Sequence, residues 1–572
     1  MQFFSGIVSL SQSTSVSHQQ IELLERTLSR HAGDRPRIFL GDRHAVAHVD
    51  LQSSPSAVVW HDSDGSLACL AGDPVIACAD GAAEPSLAIS ILHKDWQIGR
   101  SDVLQRARGT FCCVHLDPTA DRIRLASDKL GIRPLYYARS NDCLIFSCSL
   151  RMMLVLAPHL NYPRDLTACA QQSAMGYILS NRTVHEHIRR LAPGVLLDIV
   201  AGQPAESVYW DWSRLSPFTL DRSALCNELQ HCFSQAVHLR LGSQHSAVAQ
   251  LSGGLDSRCV VAAMRQAGAQ VHSINFAPAG SVDCVLGRQA AQALGTHHFE
   301  LQKSAPAGAN LRVFAHQQWR LGLGADELPE RPHQVWSGHG GDAVLAQTTA
   351  TPDLLLAQQS GDVEKVLQIF FRNSGFFLPR HIFRTKHYAI ILAALNRSVH
   401  AELQRCTSTE LARGLRTFIV TQEIRGEFLP SHFEDLDLHR IDYVLPFCDA
   451  DFVALALSAP PEWLARHRLY YQWLSTFPAA VQSVPWQAYP NSDPCPVPEP
   501  LGLRNQWTDG WLPAGERRLN QRRQLDLYKQ MLERNDFPHE LLHHGKLLFA
   551  YLLGRIGFLR YIYLLQAAKP FI

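Results

Sequence analysis

The chain has 572 residues, too many for one hydrophobic core, and points to roughly two to four domains. Hydrophobic residues make up 46% and charged residues 18%, the balance of a soluble globular protein, which excludes a disordered chain. A net charge of +1 excludes the global basic field that would draw it to nucleic acid or an anionic membrane.

The chain opens on "MQFFSGIVSLSQS", without the basic region and long apolar run of a secretory signal, so a cytoplasmic location is expected. Its 14 cysteines include no CxxC and no zinc-type spacing, which predicts free buried thiols in a reducing compartment. Residues 1–212 are rich in short β-type runs such as "SAVVWHDSDGSLACLAG", "GTFCCVHLDPTADRIRLASD" and "PLYYARSNDCLIFSCS". Hairpin turns are expected at Asp62–Gly65 and at Ser140–Asp142. Cys112 and Cys113 are neighbours in one such run and should point to opposite faces.

From about Leu220 the pattern changes. "ALCNELQHCFSQAVHLRL" has helical periodicity, Val248–Leu251 reads as a buried strand, and Ser257–Ala267 reads as a helix closed by Gly268. "QVHSINF" is the next strand, Cys284–Leu294 a helix stopped by Gly295, and "HHFEL" another strand. Alternating strands and helices predict a parallel sheet covered by helices, within a domain over residues 220–572. After Asp342 the pattern is mostly helical, interrupted by a proline-rich loop at 493–500 and closed by a helical tail over 507–572. Arg517-Arg518 and Arg522-Arg523 read as a solvated helix face. The apolar run "LLFAYLLGRIGFLRYIYLL" is broken by Arg555 and Arg560, so an integral membrane segment is not expected.

Two loops carry the chemistry. In "VAQLSGGLDSRCVVAAM" a strand ends at Leu251 and a helix follows, with Ser252, Gly253, Gly254, Asp256 and Ser257 between. Amide N–H groups and a helix N-terminus converge on an anion at such a turn, and glycines let the backbone approach phosphate oxygens. No GxxxxGK[ST] is present, so γ-phosphate transfer is not implied. A carboxylate beside phosphates is repulsive unless Mg2+ bridges them, so Asp256 predicts ATP with Mg2+. "VWSGHGGDAVL" repeats the arrangement: Ser337, Gly338, Gly340 and Gly341 allow close approach, and Asp342 supplies a second metal carboxylate.

The first loop resembles that of the ATP pyrophosphatases (adenine nucleotide α hydrolase-like), which split ATP into AMP and pyrophosphate. With both loops, the chain resembles the asparagine synthetase family over nearly its whole length. "GTFCCVHLD", "LASDKLGIRPLYYA", "LIFSCSL" and "RTVHEHIRRLAPGVLL" look like its glutaminase-type domain. "LSGGLDS", "SGHGGD" and "DYVLPFCDADFVALALSAP" match its synthetase domain in order. The resemblance implies an α/β protein: an N-terminal layered α+β, Ntn-type, glutaminase-like domain, and a C-terminal parallel-sheet synthetase domain with a helical tail. Such proteins activate a carboxylate as its adenylate and join it to an amine.

The departures from the family are informative. Its glutaminases use an N-terminal cysteine, whereas position 2 is Gln2, and "LAGDPVIACAD" stands where an Asn-Gly-Glu motif would hold the amide. The front domain is therefore expected to lack the nucleophile and to serve as a brace. Between the glycines of the second loop the family carries glutamate or, in β-lactam synthetases, tyrosine; here stands His339, whose imidazole suits a general base for an amine. Glu423 and Glu427 are candidates to orient it. The family's Arg-x-Lys is absent from "VQSVPWQAYP", where Pro485, Trp486 and Gln487 stand, and Arg466 or Arg468 is a possible substitute cation.

These departures look most like a lasso peptide cyclase, or macrolactam synthetase. That resemblance implies activation of an Asp or Glu side chain in a ribosomal precursor peptide, ring closure by the peptide's own N-terminal amine, and a separate leader peptidase as partner. Aromatic residues including Phe370, Tyr470 and Trp473 could line a peptide groove, though their spacing fits core equally. Two other readings stand beside it: an amide ligase acting on a small substrate, and a non-catalytic scaffold that binds ATP or peptide. tRNA thiolation shares only the first loop.

Overall fold

In the computed structural model the front half is built on two six-stranded antiparallel sheets stacked face to face. The structure describes residues 2–11, 15–51, 59–76, 87–100, 102–140, 142–156, 162–301, 305–306, 309–346, 351–408, 410–428, 430–486 and 514–572, with 427, 428, 430, 431 and 514–520 described by backbone alone. One sheet centres on Gln2–Ser9, paired with Cys143–Ser147 on one side and His44–Asp50 on the other. All eight residues of that central strand are buried, because the second sheet covers one face and helices His18–Thr27 and Leu150–Leu156 pack on the other.

In the second sheet Phe111–Asp117 pairs with Leu67–Gly72 and Arg122–Ser127. Cys112 enters the core between the sheets, its Sγ 3.7 Å from that of Cys148. Cys113 belongs to the core under helix Ala88–Gln97, so the neighbours do point to opposite faces. The Asp62–Gly65 turn joins Val59–His61 to Leu67–Gly72, with Gly65 left-handed (φ +83°) and the Asp62 N–H donating to the Ser66 carbonyl. Ser140 starts the other expected turn, its N–H donating to the Cys143 carbonyl, while Asn141 lies outside the described residues.

The second half contains a five-stranded parallel sheet in the order His297–Glu300, Gln270–Asn275, Ser246–Gln250, Gln334–Trp336, Asp442–Val444. The helix after the central strand runs Leu255–Gln266, two residues earlier than Ser257, since Leu255 and Asp256 already belong to its first turn. Gly268 follows it in the left-handed region (φ +90°), and Gly295 likewise ends helix Val282–Leu294.

The tail helices Ala514–Leu532, His544–Arg555 and Ile562–Ala568 do not form a separate layer. They share a second core with Val363–Ser374, with Thr385–Cys406 and with Leu166–Met175 of the front half. The chain's two halves are therefore interleaved at this end. Arg522 and Arg523 are exposed; the side chains of Arg517 and Arg518, the 493–500 loop and Gln487 lie outside the described residues. Among the described residues no helix is long and apolar enough to cross a membrane.

Ion pairs tie the halves together. Arg108 and Arg240 both hold the fully buried Asp449, and Arg133 donates to Asp442 at 2.6 Å. Burial works to raise the Asp449 carboxyl, but Arg240 and Arg108 outweigh it and hold the group below the usual range.

Candidate active site

The two serine–glycine loops leave the C-terminal ends of adjacent parallel strands, where open α/β sheets bind their ligands. Val248 lies opposite Val335 and Ala249 opposite Trp336, so Leu251–Ser257 and Ser337–Asp342 emerge side by side. They touch. A Cβ on Gly341 would sit 2.5 Å from the Asp256 carboxylate, and one on Gly338 would sit 2.6 Å from the Ser257 nitrogen. The Asp342 N–H donates to the Asp256 carboxylate. Glycine is thus demanded at both positions by the approach of one loop to the other.

Within the first loop, Ser252 and Ser257 hydroxyls lie 2.9 Å apart, and the Ser252 N–H donates to Ser257 Oγ. Gly254 N–H donates to Ser252 Oγ, and Gly253 N–H to Asp283 Oδ1 at 2.9 Å. Gly254 is the N-cap of helix Leu255–Gln266 and has no side chain to cap it, leaving the helix's positive end to a ligand. Arg258, completely buried, donates to the carbonyls of Gly253, Gly254, Val481, Val484 and Pro485. It ties the first loop to the 481–485 segment, at whose end Pro485 and Trp486 stand in place of the family's Arg-x-Lys.

Asp256 and Asp342 face each other across the loops. Burial, then Asp342, push the Asp256 carboxyl up to about 8, against a hydrogen bond donated by the Tyr470 hydroxyl. Burial also raises Asp342. Two carboxylates so placed would repel each other if both were ionised, and a divalent cation could bridge them. Among the described residues no three His, Cys, Asp or Glu side chains converge on a metal position. A pair of carboxylates suits Mg2+, which keeps waters and phosphate oxygens as its other ligands.

His339 sits between the glycines as expected, but its neighbours are not the glutamates. Arg312 donates from Nη2 to His339 Nε2 and from Nη1 to His432 Nε2, both at 3.0 Å. Guanidinium has no acceptor, so both Nε2 atoms carry lone pairs and the His339 proton resides on Nδ1, near Ser337 Oγ and His432 Nε2. Burial first, then His432 and Arg312, hold the imidazole well below its ordinary value, so it is neutral near pH 7. Arg312 lies over Phe276, just past strand Gln270–Asn275, at the same edge of the sheet.

Glu423 lies half-buried on Ile419–Phe428, a π-helical stretch whose Ile424 faces Gly340; the side chain of Glu427 lies outside the described residues. Arg466 and Arg468 are exposed, whereas Phe370, Tyr470 and Trp473 are core. Arg312, His432, Arg258 and Asp283 are absent from the sequence-based candidates, and Tyr470, expected in a groove or the core, bonds Asp256. All except Arg258, which lies one residue beyond the first loop, come from distant parts of the chain.

A glutamine amidotransferase domain matches residues 88–210, and asparagine synthase matches residues 228–322. The first matched segment falls on the antiparallel front half, and the second on three strands of the parallel sheet and the first loop, ending before the second loop. Over parts of its length the chain is similar to glutamine-hydrolyzing asparagine synthetases. It is 21% identical over 198 residues to asparagine synthetase [glutamine-hydrolyzing] 1 of Bacillus subtilis, covering 34% of this chain and 31% of that protein. It is 26% identical over 232 residues to the asparagine synthetase [glutamine-hydrolyzing] of Pongo abelii, covering 38% and 39%. The chain spans about a third of the length of these curated relatives.

Proposed function

We propose that the protein is an ATP-dependent carbon–nitrogen ligase that activates a carboxylate, releasing AMP and pyrophosphate, and joins it to an amine. The observation that carries this reading is the contact of the two loops, with Gly341 against Asp256. Leu251, Ser252, Gly253, Gly254 and Ser257 of the first loop, with Ser337, Gly338, Gly340 and Gly341 of the second, would hold ATP. Asp256 and Asp342 would hold Mg2+. Bound there, Mg2+-ATP supplies the leaving group that makes the carboxylate an acylating agent.

His339 is the residue that takes the amine's proton. Its Nε2 lone pair is engaged by Arg312, so an incoming anionic group that draws the guanidinium away frees the base at the moment it is needed. Arg312 also provides a cation at the sheet edge, in the role for which the family's lysine was sought. The front domain acts as a brace, through Arg133 on Asp442 and Arg108 on Asp449.

The finer reading is a macrolactam synthetase: the acid is an Asp or Glu side chain of a ribosomal precursor peptide, and the amine is that peptide's own N-terminus after a leader peptidase has acted. A neutral base supports it, because a tethered amine arrives at high effective molarity and needs only deprotonation. Incubation with ATP and a leaderless acidic peptide, read by mass spectrometry, tests it: a product lighter by one water supports the peptide reading. Amide formation only from a small acid with ammonia would leave the ligase and remove the peptide. No pyrophosphate with any acid would leave a scaffold.

A further inference from the structure

We propose that the cavity between the front half and the helical tail binds a small organic or inorganic anion, with Arg190 as its buried anchor. The cavity measures about 980 Å³, the size of a small-molecule site. Five cationic side chains line it, Arg164, Arg182, Arg190, Arg534 and Lys569, against one acidic side chain, Glu434. Arg182 and Arg534 are neutralised by Asp165 and Asp536. Arg190 is not. It is 5% exposed, its side chain donates from Nη2 to the Ile178 carbonyl at 3.2 Å, and its buried Nε has no partner among the described residues.

Behind it Arg425, 1% exposed, donates to the Ser180 carbonyl and leaves Nε and Nη1 unpartnered. The two guanidiniums repel each other. The acids that act on Arg425 are committed elsewhere. Glu402 accepts from Arg405, Gln422 and Ser180, and Asp128 accepts backbone N–H groups of Phe111, Leu130, Ile132 and Arg133. Two adjacent buried cations without a counter-charge are costly unless an anion joins them.

The one acidic side chain of the lining does not oppose this. Burial, then Asp435, push Glu434 up to about 8, so it is largely protonated at neutral pH, with the Tyr136 hydroxyl beside it. Guanidinium pairs equally well with a carboxylate or a phosphate, so the shared chemistry is a compact anion of either kind. The cavity is separate from the two-loop crevice: none of the loop residues lines it, and the π-helical stretch stands between, with Gly426 in the cavity wall and Ile424 toward Gly340.

Isothermal titration of the full-length protein at low ionic strength, with citrate in one arm and inorganic phosphate in the other, tests the site. At least one should bind, with affinity reduced about tenfold or more in Arg190→Met and more modestly in Arg164→Gln. Arg190→Met should fold and melt no lower than wild type, because it removes a buried unpaired charge. Should it fail to fold, Arg164→Gln and Lys569→Gln decide the matter at the cavity wall. Citrate alone binding identifies a carboxylate ligand, and phosphate alone a phosphate. No binding of either anion, or binding indifferent to all three substitutions, overturns the proposal.

Discussion

Replacing Asp256 by Asn should stabilise the unliganded protein increasingly as pH rises, while disabling it. In the folded state burial and Asp342 favour the protonated carboxyl, up to about 8, whereas an unfolded Asp ionises near 4. A raised carboxyl contributes stability that is fully present below the unfolded value and lost as pH climbs to the folded one. Asparagine stays neutral and keeps the acceptor oxygen for Tyr470, so the variant escapes that loss. Between pH 5 and 8 the interval is about 3 units, or about 4 kcal/mol at most. Asp256 is only partly enclosed, and water in the crevice reduces this to about 2 kcal/mol, a difference of about 3 °C in melting temperature for a domain of this size. Melting curves with EDTA at half-unit pH steps, wild type beside variant, give the difference directly. A difference flat from pH 5 to 8 would refute the reasoning, since it would mean that Asp256 ionises in the folded protein as it does in the unfolded one.

Gly341→Ala puts a methyl 2.5 Å from the Asp256 carboxylate, and the resulting shift should cost about 1–3 kcal/mol in the melting transition and lower ATP affinity in a titration. Arg312→Lys replaces one planar fork serving two imidazoles by a single point charge. Amide formation should fall by about 10–100-fold while half-saturation by ATP stays put, as steady-state kinetics will report. Asp449→Ala strands Arg108 and Arg240 and should destabilise the protein by about 3–5 kcal/mol in chemical denaturation, with Asp449→Asn intermediate.

The order of elements and the two loops were legible because both are local. Glycines that follow a strand and precede a helix announce an anion cradle within about ten residues of chain. The same locality gave the opposed faces of Cys112 and Cys113. The partners of the loops were not legible, because nothing in a local pattern assigns a distant side chain to a site. Tyr470 is 214 residues from the Asp256 it touches, and His432 is 93 from His339. His339 itself could be picked out by its place between glycines, but the Arg312 bond that fixes its tautomer arises from how helix Leu311–Leu321 lies on strand Gln270–Asn275, two strands away in the sheet. The tail reads as helical and part of the 220–572 domain, and its packing with Leu166–Met175 of the front half is a matter of tertiary contact alone.

The front-half and back-half motifs that resemble the asparagine synthetases lie on opposite sides of one interface. In "LASDKLGIRPLYYA", Asp128 gathers backbone N–H groups into a tight turn, and that turn aims Arg133 at Asp442. Asp442 opens the strand Asp442–Val444, which pairs with Gln334–Trp336, and the Val444 carbonyl receives the Ser337 N–H at 3.0 Å. The front domain is thus two hydrogen-bonded steps from the second loop. Glutamine chemistry is not needed to explain the front-half motif: without Arg133, Asp442 would be left without its guanidinium beside the strand that sets Ser337, and the contact of Gly341 with Asp256 depends on where that strand ends.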